Sequence, residues 1–171
     1  DRTLTEEAFA AAPGADYLVF WTAEAPTRVV EAATRAKLIL NLGEGTERID
    51  VATAARLGIP VAKTAGENSA SSAELATLLM LAVLRRLPEA HASTVAGRWL
   101  KWEVRVGTGE LRGKQVGIVG LGKIGRRVAR QVQGFDSIVV YAGRRRLPEA
   151  EEASLGVRFL SLDELLRSSD V

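Results

Sequence analysis

"VGIVGLGKIGRRVA", Val116 to Ala129, is the stretch on which the reading of this sequence turns. An apolar run that breaks into Gly120, Leu121, Gly122, Lys123, Ile124 and Gly125 predicts a strand over Gln115 to Gly120, a glycine turn, and a helix over Lys123 to Gln133. The three glycines do different physical work in such a turn. Gly120 allows the tight bend, Gly122 lets backbone approach a pyrophosphate with no Cβ in the way, and Gly125 lets helix and strand pack closely. The first amides of the helix, aided by its dipole, then face the phosphates. All six residues from Gly120 to Gly125 are therefore candidates for cofactor binding, the alternative being a tight strand-to-helix turn with no ligand.

Roughly 20 residues further on, at the end of the second strand, a unit that binds NAD usually places Asp or Glu to accept hydrogen bonds from the ribose hydroxyls. Here the strand Ser137 to Ala142 runs into "YAGRRR", Tyr141 to Arg146, and the acid's place falls on Ala142 or Gly143. A carboxylate there would repel the additional phosphate of NADP, whereas an arginine fork grips it. Gly143, Arg144 and Arg145 are read as cofactor contacts with Arg146 beside them, NADP as the cofactor, and NAD as the alternative. The competing reading is a solvated basic loop, neutralised by the acids of "LPEAEE", Leu147 to Glu152.

The bulk numbers narrow the function classes. With 171 residues, 47% hydrophobic and 26% charged, the chain has the balance of an ordinary globular core, one domain or slightly more. Its 23 basic and 21 acidic residues leave a net charge of +2, so a nucleic-acid partner is not expected. The lack of cysteine excludes disulfide frameworks, thiolate metal sites and a cysteine nucleophile, and one histidine argues against a histidine metal cluster; no metal is expected. The longest apolar run, around Leu75 to Leu84, falls short of the roughly 20 residues a membrane span needs. Asp1, Arg2 and Thr3 form no charged-then-apolar leader, so the expectation is a cytoplasmic protein with no membrane partner.

Working outward from the glycine turn, strands and helices alternate, which implies parallel sheets with right-handed crossovers. Thr3 with Glu6 reads as a capping box that opens a helix ending near Pro13 and Gly14. "DYLVFW", Asp16 to Trp21, reads as a buried strand, Leu38 to Gly43 as a second, and Gly58 to Thr64 as a third, with helices over Thr27 to Arg35 and Ile49 to Leu57. Ser71 to Ala96 reads as a long helix that Pro88 kinks or breaks and Gly97 ends. Lys101 to Lys114 reads as a surface loop, which places a domain boundary there. After the strand ending at Ala142 come a loop, a short strand "VRFL", and a helix capped by Ser161 and Glu164.

Several stretches together resemble the D-isomer-specific 2-hydroxyacid dehydrogenases, the group of phosphoglycerate, formate and glyoxylate/hydroxypyruvate dehydrogenases or reductases. They are "LGEGTERID" with "GIPVAKTAGENSASSAEL", "RRLPEA" with "GRWLKW", "ELRGKQVGIVGLGKIGRRVA" and "LGVRFLSLDELLRSSDV", in the family's order and covering nearly the whole chain. The "YAGRRR" ending is most similar to the NADPH-using glyoxylate/hydroxypyruvate reductases. The resemblance implies Rossmann-like parallel α/β sheets: part of a flavodoxin-like substrate domain with its connecting helix over residues 1–100, then the N-terminal half of a dinucleotide-binding domain over residues 101–171. It implies that Leu42, Gly43, Glu44 and Gly45 offer backbone amides to a substrate carboxylate, and that Asn68 lies near nicotinamide and substrate. A plain turn for the first and a helix cap for Asn68 stay open as alternatives. Glu44 and Ser72 stand where the family usually has apolar residues.

The implied activity is hydride transfer between NADPH, or less favoured NADH, and a small 2-keto or 2-hydroxy acid. A histidine acid, its glutamate partner and a carboxylate-binding arginine are needed for it, and in the family these lie beyond the point where this chain stops. No catalytic residue is assigned within the 171 residues, His91 being read as a surface histidine. The expectation is a chain cut at both ends and catalytically incomplete by itself. A homodimer is expected through the helical arm around Leu75 to Ala96. The alternative is a nucleotide-sensing or partner-binding module without catalysis, and a structural fragment with no ligand is a third reading.

Overall fold

The computed structural model describes residues 2–171, with side chains described from residue 5 onward, so the side-chain capping expected of Thr3 lies outside the description. The fold divides into two compact units, Asp1–Glu67 and Asn68–Val171. Each is built on a three-stranded parallel sheet.

In the first unit, helix α1 (Arg2–Ala11) leads through a short 3-10 turn to β1 (Tyr17–Phe20), followed by α2 (Thr27–Ala32), β2 (Leu38–Asn41), α3 (Val51–Arg56) and β3 (Val61–Lys63). The strands lie in the order β1-β2-β3, with Leu18 beside Ile39 and Ile39 beside Val61. Leu18, Phe20 and Ile39 bury against Val29, Val30 and Ala54 of the two crossover helices. The strand expected to be wholly buried is buried on one face only. Leu18 and Phe20 point into this core while Tyr17, Val19 and Trp21 are exposed, because the pleat sends alternate side chains to opposite faces. Asp50 starts α3 by accepting from the Thr53 amide at 3.0 Å, and the Thr27 hydroxyl donates to the same carboxylate at 2.6 Å. That hydroxyl bond, followed by the Thr53 amide, lowers the Asp50 pKa from 3.8 to about 2.

The second unit begins with α4 (Ser69–Leu84) and α5 (Leu87–Val95), two helices where the sequence suggests one that Pro88 interrupts. The break falls just before the proline, at Arg86, whose φ of 49° is left-handed. Proline at the second position of α5 needs no amide partner there, but its ring obstructs the turn that precedes it. A short helix, α6 (Lys101–Arg105), occupies the stretch expected to be loop. Both α4 and α5 belong to the second unit rather than the first. The division after Glu67 thus precedes the boundary expected at 100/101, because Ala73, Ala76 and Met80 of α4 join the core of the second sheet and buried Thr77 donates to Gln131 at 2.7 Å.

The sheet of this unit consists of β4 (Gln115–Val119), β5 (Ile138–Ala142) and β6 (Val157–Phe159) in the order β4-β5-β6. Helix α7 (Lys123–Gln133) crosses from β4 to β5, α8 (Glu149–Leu155) crosses from β5 to β6, and α9 (Leu162–Ser168) comes after β6. Val128, Ala129 and Val132 of α7 bury against Val116 and Val139, and the Tyr141 ring meets Phe159 edge-on with centroids 5.3 Å apart. On the other edge of β4, the Val171 carbonyl accepts from the Gly117 amide at 2.8 Å, so β4 has backbone partners on both sides. The capping box of α9 is present as expected from Ser161 and Glu164. Helix α8 replaces part of an expected loop; Pro148 fixes its start, three glutamates sit in its first turn, and left-handed Gly156 ends it. No helix among the described residues is long and apolar enough to cross a membrane. All three tryptophans of the sequence, Trp21, Trp99 and Trp102, are exposed.

Candidate functional site

At the carboxyl end of β4 the chain turns through Gly120, with φ of 93°, into the start of α7. A side chain at Gly120 would be strained in that conformation, so this turn requires glycine. Gly122 is the N-cap of α7, and a Cβ built on it meets no atom within 4 Å. Gly125 differs. A Cβ there would collide with the Gly120 carbonyl and lie 3.2 Å from Ile118 Cγ2, so its absence is what lets α7 sit on the strand. The three glycines therefore do what their spacing suggests: one bends, one leaves open space before helix amides, and one closes the packing.

Of the other loop residues, Lys123 and Ile124 are exposed at the first turn of α7. Leu121 is buried in the core with Val116 and Val128, so its side chain serves packing and only its backbone faces the turn. The Gly120 amide donates to the Ala142 carbonyl at 2.8 Å, which fixes the loop to the end of β5. This open N-terminus of an 11-residue helix, with no Cβ at its cap and β4 paired on both sides behind it, fits the pyrophosphate of a dinucleotide.

The end of β5 separates residues that the sequence leaves together. Ala142 is buried beside Val140 and Leu165, whereas Gly143 is exposed with room for a Cβ. Of the two candidate positions for the acid, Gly143 is therefore the exposed one. Arg144 and Arg145 are exposed and make no ion pair with any acid among the described residues. Arg146 is committed elsewhere: its Nε and Nη2 donate to the two oxygens of Glu152, each at 2.9 Å. The Tyr141 hydroxyl donates to the same carboxylate at 2.8 Å and accepts from the Leu147 amide at 2.8 Å.

Glu152, only 7% exposed, would be costly to bury without such partners. The hydrogen bonds from Arg146 hold its carboxyl below the usual range against the opposing effect of burial, and the same bonds raise the Arg146 pKa. Burial raises that of Tyr141. The acids of "LPEAEE" therefore neutralise one arginine of the three. Two of the three arginines on α7 are occupied as well: Arg126 pairs with Glu151 at 2.6 Å and Arg127 Nε donates to Ser69 Oγ at 3.1 Å.

In the first unit, Leu42 to Gly45 come after β2 as a bend. The Leu42 amide donates to the Phe20 carbonyl at 2.7 Å and so continues the ladder, which corrects the expectation that it serves a ligand. Gly43 to Gly45 are braced by side chains. Asn41 Nδ2 donates to the Gly45 carbonyl at 2.6 Å, and Lys63 Nζ donates to the Glu44 carbonyl at 2.6 Å while lying 3.9 Å from its carboxylate. The unexpected acid in this loop is thereby paired with a cation. Asn68 is exposed at the N-cap position of α4, but its carboxamide makes no capping bond. Its carbonyl accepts from the Ser72 amide at 2.9 Å and the Ser71 hydroxyl at 3.0 Å. No group of three or more His, Cys, Asp or Glu among the described residues is placed to hold a metal ion.

Comparison with known proteins agrees with this geometry. The chain is 42% identical over 149 residues to the glyoxylate reductase of Thermococcus kodakarensis, a match covering 84% of this chain and 44% of that protein. It is 39% identical over 145 residues to the D-3-phosphoglycerate dehydrogenase of Archaeoglobus fulgidus, covering 84% of this chain and 27% of the relative. The chain thus spans less than half the length of these relatives. Among solved structures, the NAD-dependent formate dehydrogenase of Staphylococcus aureus in complex with NAD superposes with a TM-score of 0.80 at 30% identity, covering 96% of this chain and 50% of that one. Residues 77–171 match the family model for the D-isomer specific 2-hydroxyacid dehydrogenase NAD binding domain. The glycine turn, the parallel sheet that presents it and these matches lead to one conclusion: the chain belongs to the D-isomer specific 2-hydroxyacid dehydrogenase family.

Proposed function

We propose that the protein serves an oxidoreductase that passes hydride between NADPH, in preference to NADH, and a small 2-keto acid such as glyoxylate or hydroxypyruvate. The observation that carries the cofactor preference is the end of β5, where Gly143 stands in the acid's place and Arg144 and Arg145 are exposed without an acidic partner. When bound, the cofactor supplies the hydride. The residues of this chain then bind and orient. The amides of Gly122 to Gly125 take the pyrophosphate, and Arg144 and Arg145 take the 2′-phosphate as charge-assisted donors.

In this reading residues 1–100 supply part of a substrate domain together with the connecting helices α4 and α5, which fall in the second compact unit, and residues 101–171 supply the N-terminal half of the cofactor domain. The backbone of Gly43 to Gly45 holds the substrate carboxylate, and the Asn68 carboxamide lies near nicotinamide and substrate. Braced turns and an uncommitted carboxamide support those assignments. We assign no acid–base role to His91, which is exposed on α5. A cytoplasmic homodimer joined through α4 and α5 completes the reading, supported by exposed Leu75, Leu78, Leu79 and Val83 along α4.

The test is calorimetric titration with 2′,5′-ADP and, separately, ADP. The reading expects 2′,5′-ADP to bind about tenfold tighter or better, roughly 1.4 kcal/mol. Equal or tighter binding of ADP overturns the NADPH preference.

A further inference from the structure

The loop between β5 and α8 carries three consecutive arginines, yet the third differs physically from the first two. Arg146 makes a two-point fork to Glu152, which also accepts from the buried Tyr141 hydroxyl; that hydroxyl in turn accepts from the Leu147 amide. Tyr141 is a strand residue fixed in the sheet, with its carbonyl accepting from Leu160 and its ring against Phe159. Glu152 is fixed in α8. The loop is thus fastened at Ala142, where the Gly120 amide binds the carbonyl, and again at Arg146 and Leu147. Gly143, Arg144 and Arg145 form a short arch between two fixed ends.

We infer that Arg146, Glu152 and Tyr141 form a latch that sets cofactor preference by holding the arch in place, and that Arg146 is a positioning residue rather than a phosphate ligand. This rests on the assignment of Arg144 and Arg145 to the 2′-phosphate. Two exposed arginines on a free loop lose side-chain and backbone entropy when they close on a phosphate. An arch fastened at both ends has lost most of the backbone part beforehand. The fork to Glu152 also removes Arg146 as a competing, misplaced cation. Its neutralisation leaves the charge at the arch to the two residues that point outward.

Three single variants and the parent, each titrated with 2′,5′-ADP and with ADP, test the latch. Tyr141→Phe removes the hydroxyl without touching the arch. Arg146→Lys keeps the charge but cannot make the fork, and Arg146→Ala removes both. The latch predicts that all three lose about fivefold or more of the preference for 2′,5′-ADP while ADP affinity stays within about twofold. A preference retained in Arg146→Lys but lost in Arg146→Ala makes Arg146 a direct phosphate charge and overturns the latch. So does an unchanged preference in all three, or an equal loss for both ligands, which a merely structural role would produce. If Tyr141→Phe fails to fold, Arg146→Lys at the exposed end of the network decides. A parent with no preference overturns the NADPH reading and the latch together; a parent preference that the variants keep overturns the latch alone.

Discussion

The amide of Gly120 donates to the carbonyl of Ala142 across 2.8 Å, so the bend that begins the phosphate loop is tied to the strand end that precedes the arginines. Two segments 22 positions apart in sequence, each a candidate for cofactor contact, are thereby joined just past the ladder that pairs β4 with β5. The geometry on either side of that bond can be tested separately.

Gly122 and Gly125 should respond oppositely to a side chain. Gly122→Val puts a Cβ before the helix amides where no atom lies within 4 Å, so thermal stability should hold while nucleotide binding is lost. Gly125→Ala drives a methyl against the Gly120 carbonyl and should destabilise by about 1–3 kcal/mol. Thermal melts and ADP titration of the two variants separate the outcomes; equal Tm losses would mean that the space at Gly122 is packing space.

Gly143→Asp restores a carboxylate where the strand end is exposed, whereas Ala142→Asp puts one in the core beside Val140 and Leu165. The first should weaken 2′,5′-ADP about tenfold or more, with ADP binding unchanged or improved. The second should lower the Tm, because burial of an unpaired carboxylate opposes folding. Titration and melting of the pair would show whether exposure identifies the acid's place.

Acid should expose the contribution of Asp50. Its folded pKa of about 2 lies below its ordinary 3.8, so the folded state binds fewer protons than the unfolded chain in that interval. The stabilisation is complete above pH 3.8 and is lost as pH falls toward 2. Asp50→Asn should lower the Tm near neutrality, and the gap from the parent should narrow through that window. Melts across the acid range read it directly, and a gap constant with pH would remove the Thr27 and Thr53 hydrogen bonds as its source.

Thr77→Val removes the hydroxyl that donates to Gln131 and leaves a half-buried acceptor without its partner. A loss of about 0.5–1.5 kcal/mol is expected in denaturant melts. A neutral result would mean that this bond adds nothing to the packing of α4 on α7.

Local patterns carry most of the fold into the sequence. β4, α7 and β5 are legible because an apolar run, glycines at fixed offsets and a helical period all agree between Gln115 and Ala142. Helix α8 is hidden because "LPEAEE" reads equally as a charged loop, although Pro148 before three glutamates and Gly156 behind them is a start and stop signal. The one-sided burial of β1 is not legible, since its side chains are apolar on both faces and only the packing of α2 and α3 distinguishes them. Arg146 reads like its two neighbours for a similar reason. Its partner Glu152 is six positions away, on α8 while Arg146 is in the loop before it, so no single helical or strand period pairs them, and buried Tyr141 brings the two into register.

The placement of the tryptophans decides what light can report about this protein. With Trp21, Trp99 and Trp102 at 75%, 80% and 62% exposure, the indoles sit in water, so emission should be red and unfolding should change its wavelength little. The same three rings make the fluorescence a gauge of what comes to rest on the surface. A blue shift that grows with protein concentration would register copies meeting at Trp99 and Trp102.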